Sequence, residues 1–340
     1  MPKNNIVIIG NGFDLALGYS TRYKDFVESK FWPLAELDSL HYGEQNLYNY
    51  LYQYIQNHRD SLGNLHWIDL EDLIRQYVLS KSSESVKFDS ERNIIKYDKD
   101  ILDKIKKSFV KYLVDIVNPE RFRNSIASQV VKQIADNQTF NKVYTFNYTP
   151  TENILTDICN WTPSVIHIHG QAYTYNSEII LGVGNSKGVN RDYRFFLKDR
   201  QKGYFAHDLN EDLFNADQII FYGLSFGVSD FVYFKRFFEE TIRNHNSQKT
   251  KKIIHIFTGD NNSKDAIADA FEDSGLPMNE VYSRMDIRFY LASDFGLSIN
   301  GRDPFEEFKN TMIDTKPKIP AIISAEAERF FKEQYGSFEY

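Results

Sequence analysis

Four consecutive branched aliphatic residues, Ile6-Val7-Ile8-Ile9, stand close to the start of the chain and run straight into Gly10-Asn11-Gly12. A short uninterrupted apolar run of this kind reads as a strand buried on both faces, the interior of a parallel sheet covered by helices. The glycines shape the chain beyond it. Gly10 and Gly12 admit a tight turn and leave the backbone open to a ligand, and Phe13 to Leu17 begins a helix whose free N–H groups favour anions. Strand, glycine turn and helix together are a nucleotide-site design. The ordinary dinucleotide fingerprint also needs a third glycine, where this chain has Leu15, and an acidic residue about twenty residues on. Neither is present, which argues against an NAD dehydrogenase. Ser20 or Thr21 instead caps a next helix that carries Tyr23, Phe26 and Val27 on one face.

From about residue 30 to 140 the apolar residues recur at helical spacing. Leu47, Tyr50, Leu51, Tyr54, Ile55 and His58 define one helix, and Trp67, Leu70, Ile74, Tyr77 and Val78 a second. Ser80 to Arg92 is polar and reads as a loop. Ile101, Ile105, Phe109, Leu113 and Ile116 line a third helix ending near Asn118-Pro119, and Phe122, Ile126, Val130 and Ile134 a fourth. Glu71 stands four residues after Trp67, on the apolar face, where a carboxylate needs a partner or its proton. It reads either as a buried pair with Arg or a backbone amide, or as a carboxylate facing the nucleotide site.

After residue 141 short apolar strands alternate with helices, the grammar of a doubly wound sheet. Strands are expected at 142–146, 165–168, 218–222, 253–257 and 286–291. Ligands bind such sheets beyond the carboxyl ends of the strands, and those positions hold Gly10-Asn11-Gly12, Asn147, His169-Gly170, Ser225 and Gly259-Asp260. Turn chemistry accounts for Gly223, Gly227 and Gly259, and Asn147 can serve as an Asx turn or cap. His169 puts the side chain best suited to proton handling near neutral pH at the mouth of the sheet. The organisation expected is therefore α/β. A Rossmann-like domain comprises residues 1–30 and 141–300, with a helical insertion at 31–140 and a C-terminal helical segment at 301–340.

The 340 residues, 42% hydrophobic and 26% charged, suit a soluble globular chain. A net charge of −7 argues against nucleic acid as a partner. The densest basic cluster, Lys249, Lys251 and Lys252, reads as a solvated edge. A single cysteine, Cys159, excludes a disulfide framework and a multi-cysteine zinc ribbon, and fits a reducing compartment. No apolar run is long enough for a membrane span and no metal-ligand cluster stands out, so the expectation is a cytoplasmic protein without a metal.

One ordered set of motifs resembles a known family. Ile9-Gly10-Asn11-Gly12-Phe13-Asp14-Leu15-Ala16, Thr21-Arg22-Tyr23-Lys24-Asp25-Phe26, Trp67-Ile68-Asp69-Leu70-Glu71, Thr145-Phe146-Asn147-Tyr148-Thr149, His167-Ile168-His169-Gly170, Ile180-Leu181-Gly182 and Tyr222 through Asp230 look like the bacteriophage abortive-infection AbiH family. That family in turn resembles the sirtuin fold: Gly10-Asn11-Gly12, Thr145-Phe146-Asn147, His169-Gly170 and Gly223-Leu224-Ser225 stand where the sirtuin motifs stand. The resemblance implies Asn147 and His169 as a catalytic pair, with Asp14 or Glu71 stabilising a cation. It implies Gly10, Asn11, Gly12, Phe13, Thr21, Gly170, Gly223, Ser225, Asp230 and Gly259 as residues that hold NAD. Sirtuin deacylases also carry a four-cysteine zinc module, which one cysteine cannot build, so peptide deacylation is not expected. Asp14 replaces the sirtuin serine. A carboxylate there repels phosphate, which leaves it a helix cap or an acceptor for a ribose hydroxyl.

The function expected is hydrolysis of NAD at the nicotinamide–ribose bond in anti-phage defence, with a non-hydrolytic sensor of NAD or ADP-ribose as the alternative. A phage-encoded trigger and a homo-oligomer are the partners such an effector implies. Arg22, Lys24 and Arg191 are candidates to meet a phosphate.

Overall fold

The computed structural model describes residues 5–33, 46–60, 69–81, 89–117, 125–184, 187–204, 208–243, 251–295 and 303–315. Six strands, β1 (Asn5–Ile9), β2 (Phe140–Thr145), β3 (Ser164–His167), β4 (Gln218–Tyr222), β5 (Ile253–Thr258) and β6 (Asp286–Leu291), form one sheet in the order β3-β2-β1-β4-β5-β6. Every pairing is parallel, with Ile9 opposite Thr145 on one side and Tyr222 on the other. The expected doubly wound sheet is present. All five residues of β1 and of β4 are buried, which is why these strands read as continuous apolar runs rather than as alternation.

The two faces of the sheet carry separate cores. Ile6, Ile8, Tyr144, Phe221 and Ile256 pack against α8 (Leu209–Asn215), α9 (Val228–Arg243), α10 (Asn261–Asp273) and α11 (Met278–Arg284), with Phe234, Phe237, Phe238 and Phe271 as the large fillers. Val7, Ile9, Val143, Ile220 and Phe257 face α1 (Asn11–Ala16), α6 (Ile126–Asn137), α7 (Thr151–Cys159) and α12 (Pro304–Thr315). Residues 316–340 lie outside the described residues, so the C-terminal segment is represented by α12, whose Phe308 and Met312 are fully buried on this face.

A third core belongs to the helical region. It joins α2 (Tyr23–Val27), α3 (Leu47–Asn57), α4 (Leu70–Ser80) and α5 (Asp89–Ile116) to Tyr148 and to Ile179, Leu181, Tyr193, Phe196 and Leu197 of the segment after β3. The packing draws the layer differently from the chain order. Helix α2 belongs to it, because Phe26 packs on Phe109 and Trp32, whereas α6 lies on the sheet.

The polar stretch expected as a loop at Ser80 to Arg92 is partly helix, since α5 starts at Asp89; its acidic start suits a helix N-terminus, and Arg92 is exposed. Trp67 and Phe122, assigned to helices, lie outside the described residues. Lys252 is no solvated edge. It is buried, and its ammonium donates to the carbonyls of Phe214 at 2.7 Å and Ala216 at 2.6 Å, capping the end of α8.

Candidate active site

The chain crosses from β1 to β2 and β3 on one side and returns to β4 on the other, so the order of strand addition reverses between β1 and β4 while the strands stay parallel. At the carboxyl ends of these strands lies a cavity of about 690 Å³, within the range of small-molecule sites. Its wall includes Asn147, His169, Asp14 and Glu71, and also Gly10, Asn11, Gly12, Thr21, Gly223, Ser225, Asp230 and Gly259.

Phe13 and Gly170 are not on that wall. Phe13 is buried in the core beneath it, edge-on to Tyr222 at 5.4 Å, because the first turn of α1 directs this side chain into the sheet face. Gly170 has φ of 78° and pairs with Ile179; a Cβ there would stand 2.8 Å from the Glu178 carbonyl. Its glycine is required by backbone approach. Among the three cations considered for a phosphate, Arg22 lines the cavity, while Lys24 and Arg191 do not.

The glycine turn is built against β4. Gly12 N–H donates to the Gly223 carbonyl at 2.8 Å and Phe13 N–H to the Gly10 carbonyl at 2.9 Å. A Cβ on Gly12 would meet Gly223 Cα at 2.6 Å, and one on Gly223, whose φ is 66°, would meet Phe13 N at 2.3 Å. These glycines let two backbones touch, and two of the first N–H groups of α1 are consumed in doing so. Thr21 and Asn11 are bonded to each other, hydroxyl to amide oxygen at 2.5 Å, which braces the residues after α1 against its start.

Residues 147–149, just beyond β2, reach three walls in turn. Asn147 Nδ2 donates to the Gly10 carbonyl at 3.1 Å. The Tyr148 hydroxyl lies 3.2 Å from Glu71 Oε1 and 2.9 Å from the Ile180 carbonyl. Thr149 donates to Asp14 Oδ2 at 2.8 Å. Asn147 is therefore not a cap of α7, whose N-cap is Pro150. Nor is Asp14 a cap: it sits inside the first turn of α1 and is held across the site. Burial pushes its carboxyl up to about 7 against the opposing hydrogen bond from Thr149 and the neighbouring Asn147. Both Asp14 Oδ1 and Asn147 Oδ1 are buried without a hydrogen-bond partner.

A second polar group lies where the helical layer meets the sheet. Glu71 Oε2 accepts from Lys198 Nζ at 2.7 Å, and the same ammonium stands 3.3 Å from His169 Nε2. Glu71 is paired, with Lys198 and Tyr148 in place of the Arg or backbone amide expected, and it also lines the cavity. Burial raises the Glu71 carboxyl, opposed by Lys198, and burial also raises Asp69 and Asp230. Burial and the Lys198 charge hold His169 well below its ordinary value, so the imidazole is neutral. Among the described residues, no group of three or more His, Cys, Asp and Glu could hold a metal ion, and no helix is long and apolar enough to cross a membrane.

Sequence reasoning did not single out Lys198, Thr149, Tyr148 or Tyr233, whose hydroxyl stands 3.3 Å from His169 Nε2, as site residues. Lys198 had a signal, a lysine directly after the apolar run Phe195-Phe196-Leu197, but nothing that named its partners.

The model of the bacteriophage abortive infection AbiH family matches residues 6–253. This chain belongs to the AbiH family. The match spans the sheet from β1 to the start of β5 and takes in the helical layer, so the AbiH region contains every strand end on which the cavity is built except those of β5 and β6. Membership assigns the chain to abortive infection, a defence against bacteriophage. No curated protein matches the sequence.

Proposed function

We propose that this AbiH protein hydrolyses NAD at the bond between nicotinamide and ribose, depleting the cofactor of an infected cell. The observation that carries the reading is the pair of unpartnered oxygens, Asp14 Oδ1 in the first turn of α1 and Asn147 Oδ1 just beyond β2, both buried in one cavity. Buried polar oxygens call for a hydrogen-bond donor, and ribose hydroxyls and the attacking water are donors.

The reaction breaks the bond from C1′ to the pyridinium nitrogen. The electron pair leaves with nicotinamide, which departs neutral; positive charge builds on the ribose, and water forms the new bond to C1′ and gives up a proton. A carboxylate with a pKa of about 7 is half ionised at neutral pH and suits both needs, stabilising the cation and taking the proton. Asp14 is assigned that role, and Asn147 orients the water or a ribose hydroxyl. His169 is assigned to shape the site rather than to take the proton, because its Nε2 already faces Lys198.

The charge of the wall sets the direction of the ligand. Asp14, Asp69, Glu71 and Asp230 line the cavity and favour the pyridinium and the ribosyl cation; Arg22 is the cation of the wall, exposed at its edge, and suits the phosphates. Similarity of the motifs to those of sirtuins supports the same use of NAD.

Nicotinamide release from NAD, measured for wild type, Asp14→Asn and Asn147→Ala, tests the reading. The expected loss is at least about a hundredfold for each variant with the fold retained. Undiminished turnover by Asp14→Asn would overturn the assignment, and NAD binding without turnover in any oligomeric or triggered form would favour a sensor over a hydrolase.

A further inference from the structure

Lys198 is the most deeply enclosed cation among the described residues: 1% exposed, at the end of the segment Arg191–Phe196 and Leu197. Its backbone N–H donates to the Val183 carbonyl at 2.9 Å, and its side chain runs inward to Glu71 of α4 and to His169 after β3. An ammonium has three donors and no acceptor. The atom it meets at 3.3 Å, His169 Nε2, must therefore be the ring nitrogen without a proton. The Tyr233 hydroxyl, also 3.3 Å from Nε2, is then a second donor to the same lone pair. The remaining ring proton sits on Nδ1, and the ring is hydrogen-bonded to the Phe146 backbone.

We infer that Lys198 is a positioning residue of the cavity, fixing His169 as its Nδ1–H tautomer and turning Nε2 away from any proton released by the ligand. The inference rests on the hydrolase reading for the chemistry that His169 serves, and on geometry alone for the tautomer. The ribosyl end of the ligand then meets an imidazole that is uncharged and already saturated as an acceptor, leaving Asp14 to handle protons.

The groups that face His169 all bear on its protonation. Lys198 opposes a charge on the ring, Glu71 behind Lys198 favours it, and Tyr233 of α9 holds the lone pair; Tyr148 lies with its ring 6.1 Å away, and Asp230 stands one turn before Tyr233. Removing Lys198 alone takes away the opposing charge and leaves Glu71 as the nearest ion. Burial still opposes the charge, but the ring should then take its proton more easily than in wild type. Arginine at the same position keeps the positive charge.

The test is ¹⁵N NMR of the full chain labelled in histidine, with the His169 signals identified by their loss in His169→Gln. In wild type the ring should show a pyridine-type Nε2 and no titration between about pH 5.5 and 8. Lys198→Met should raise the pH at which the ring protonates, and Lys198→Arg should leave it as in wild type. Should Lys198→Met not fold, the double variant Glu71→Gln/Lys198→Met removes both charges, and its ring should protonate at higher pH than the wild-type ring while Phe146 and Tyr233 still hold its tautomer. A wild-type ring that titrates near about 6.5 or carries its proton on Nε2 would overturn the inference, as would unchanged spectra in the variants. A silent ring in a chain without NAD turnover in any oligomeric or triggered form would sink the hydrolase reading and spare this one; a titrating ring in an active enzyme would do the reverse.

Discussion

Lys198 and Glu71 form an ion pair of 2.7 Å across 127 residues of chain, with side-chain exposures of 1% and 8%. The pair joins the segment after β3 to the first turn of α4, so it fastens the helical layer to the rim of the sheet. Breaking a buried pair by removing one partner leaves an uncompensated charge and typically costs about 3–5 kcal/mol. Lys198→Met should lose stability of that order in denaturant titration, and Glu71→Gln/Lys198→Met should recover part of it. A double variant as unstable as the sum of the singles would mean that the two side chains act independently.

Asp14 makes stability depend on pH in a direction opposite to a salt-bridged carboxylate. Its folded pKa is raised from 3.8 to about 7, so the folded state binds the extra proton in that window. The contribution is fully favourable below the unfolded pKa and is lost as pH rises through the folded one, amounting to about 4 kcal/mol at most. Asp14→Asn should therefore be more stable than wild type at pH 8 and closely matched to it at pH 4. His255, pushed down to about 3 by burial, gives the opposite slope over much of the same range, so the effect is read as the difference between variant and wild type. A thermal midpoint equally shifted at both pH values would show that Asp14 does not titrate between them.

Gly223→Ala should be far more damaging than Gly203→Ala, although both residues have positive φ. At Gly203, with φ of 88°, a Cβ meets nothing within 4 Å, and only backbone strain of about 1 kcal/mol is expected. At Gly223 the added carbon would lie 2.3 Å from Phe13 N and force β4 and the turn after β1 apart. Strain and overpacking together should cost about 2–4 kcal/mol and weaken ligand binding as well. Equal destabilisation of the two variants in urea would refute the packing argument.

Arg22→Ala should weaken NAD binding about tenfold by calorimetry and leave the affinity for nicotinamide riboside, which has no pyrophosphate, nearly unchanged. Equal losses for the two ligands would place the phosphates elsewhere.

The sheet was legible because strands buried on both faces leave a signature that no other element shares at that length, as in Ile6 to Ile9 and Gln218 to Tyr222. Glu71 was legible as a conflict, a carboxylate on an apolar face, and the structure resolves it with a partner. That partner was not legible. Lys198 reaches Glu71 through Gly182, Val183 and the short helical turns beyond them, segments whose path follows from tertiary contacts and has no period of its own. Phe13 and Gly170 stand off the cavity wall for a related reason: their motifs record tight local geometry, which core packing and a backbone bridge also demand. Position in the sequence leaves Asp14 either a cap or a ribose acceptor, and only the fold shows it bonded to Thr149.

Gly12 and Gly223 stand back to back, each excluding a side chain on the other, and Gly10 lies against the Gly223 carbonyl and Leu224. Ordinary close-packed sites can exchange bulk over generations, one residue shrinking as its neighbour grows. No such trade is open between Gly12 and Gly223, since both are already at the minimum. A lineage carrying this turn can change it only by shifting whole strands, which makes the three positions a historical commitment: once the backbones have met, single steps of mutation offer no way back.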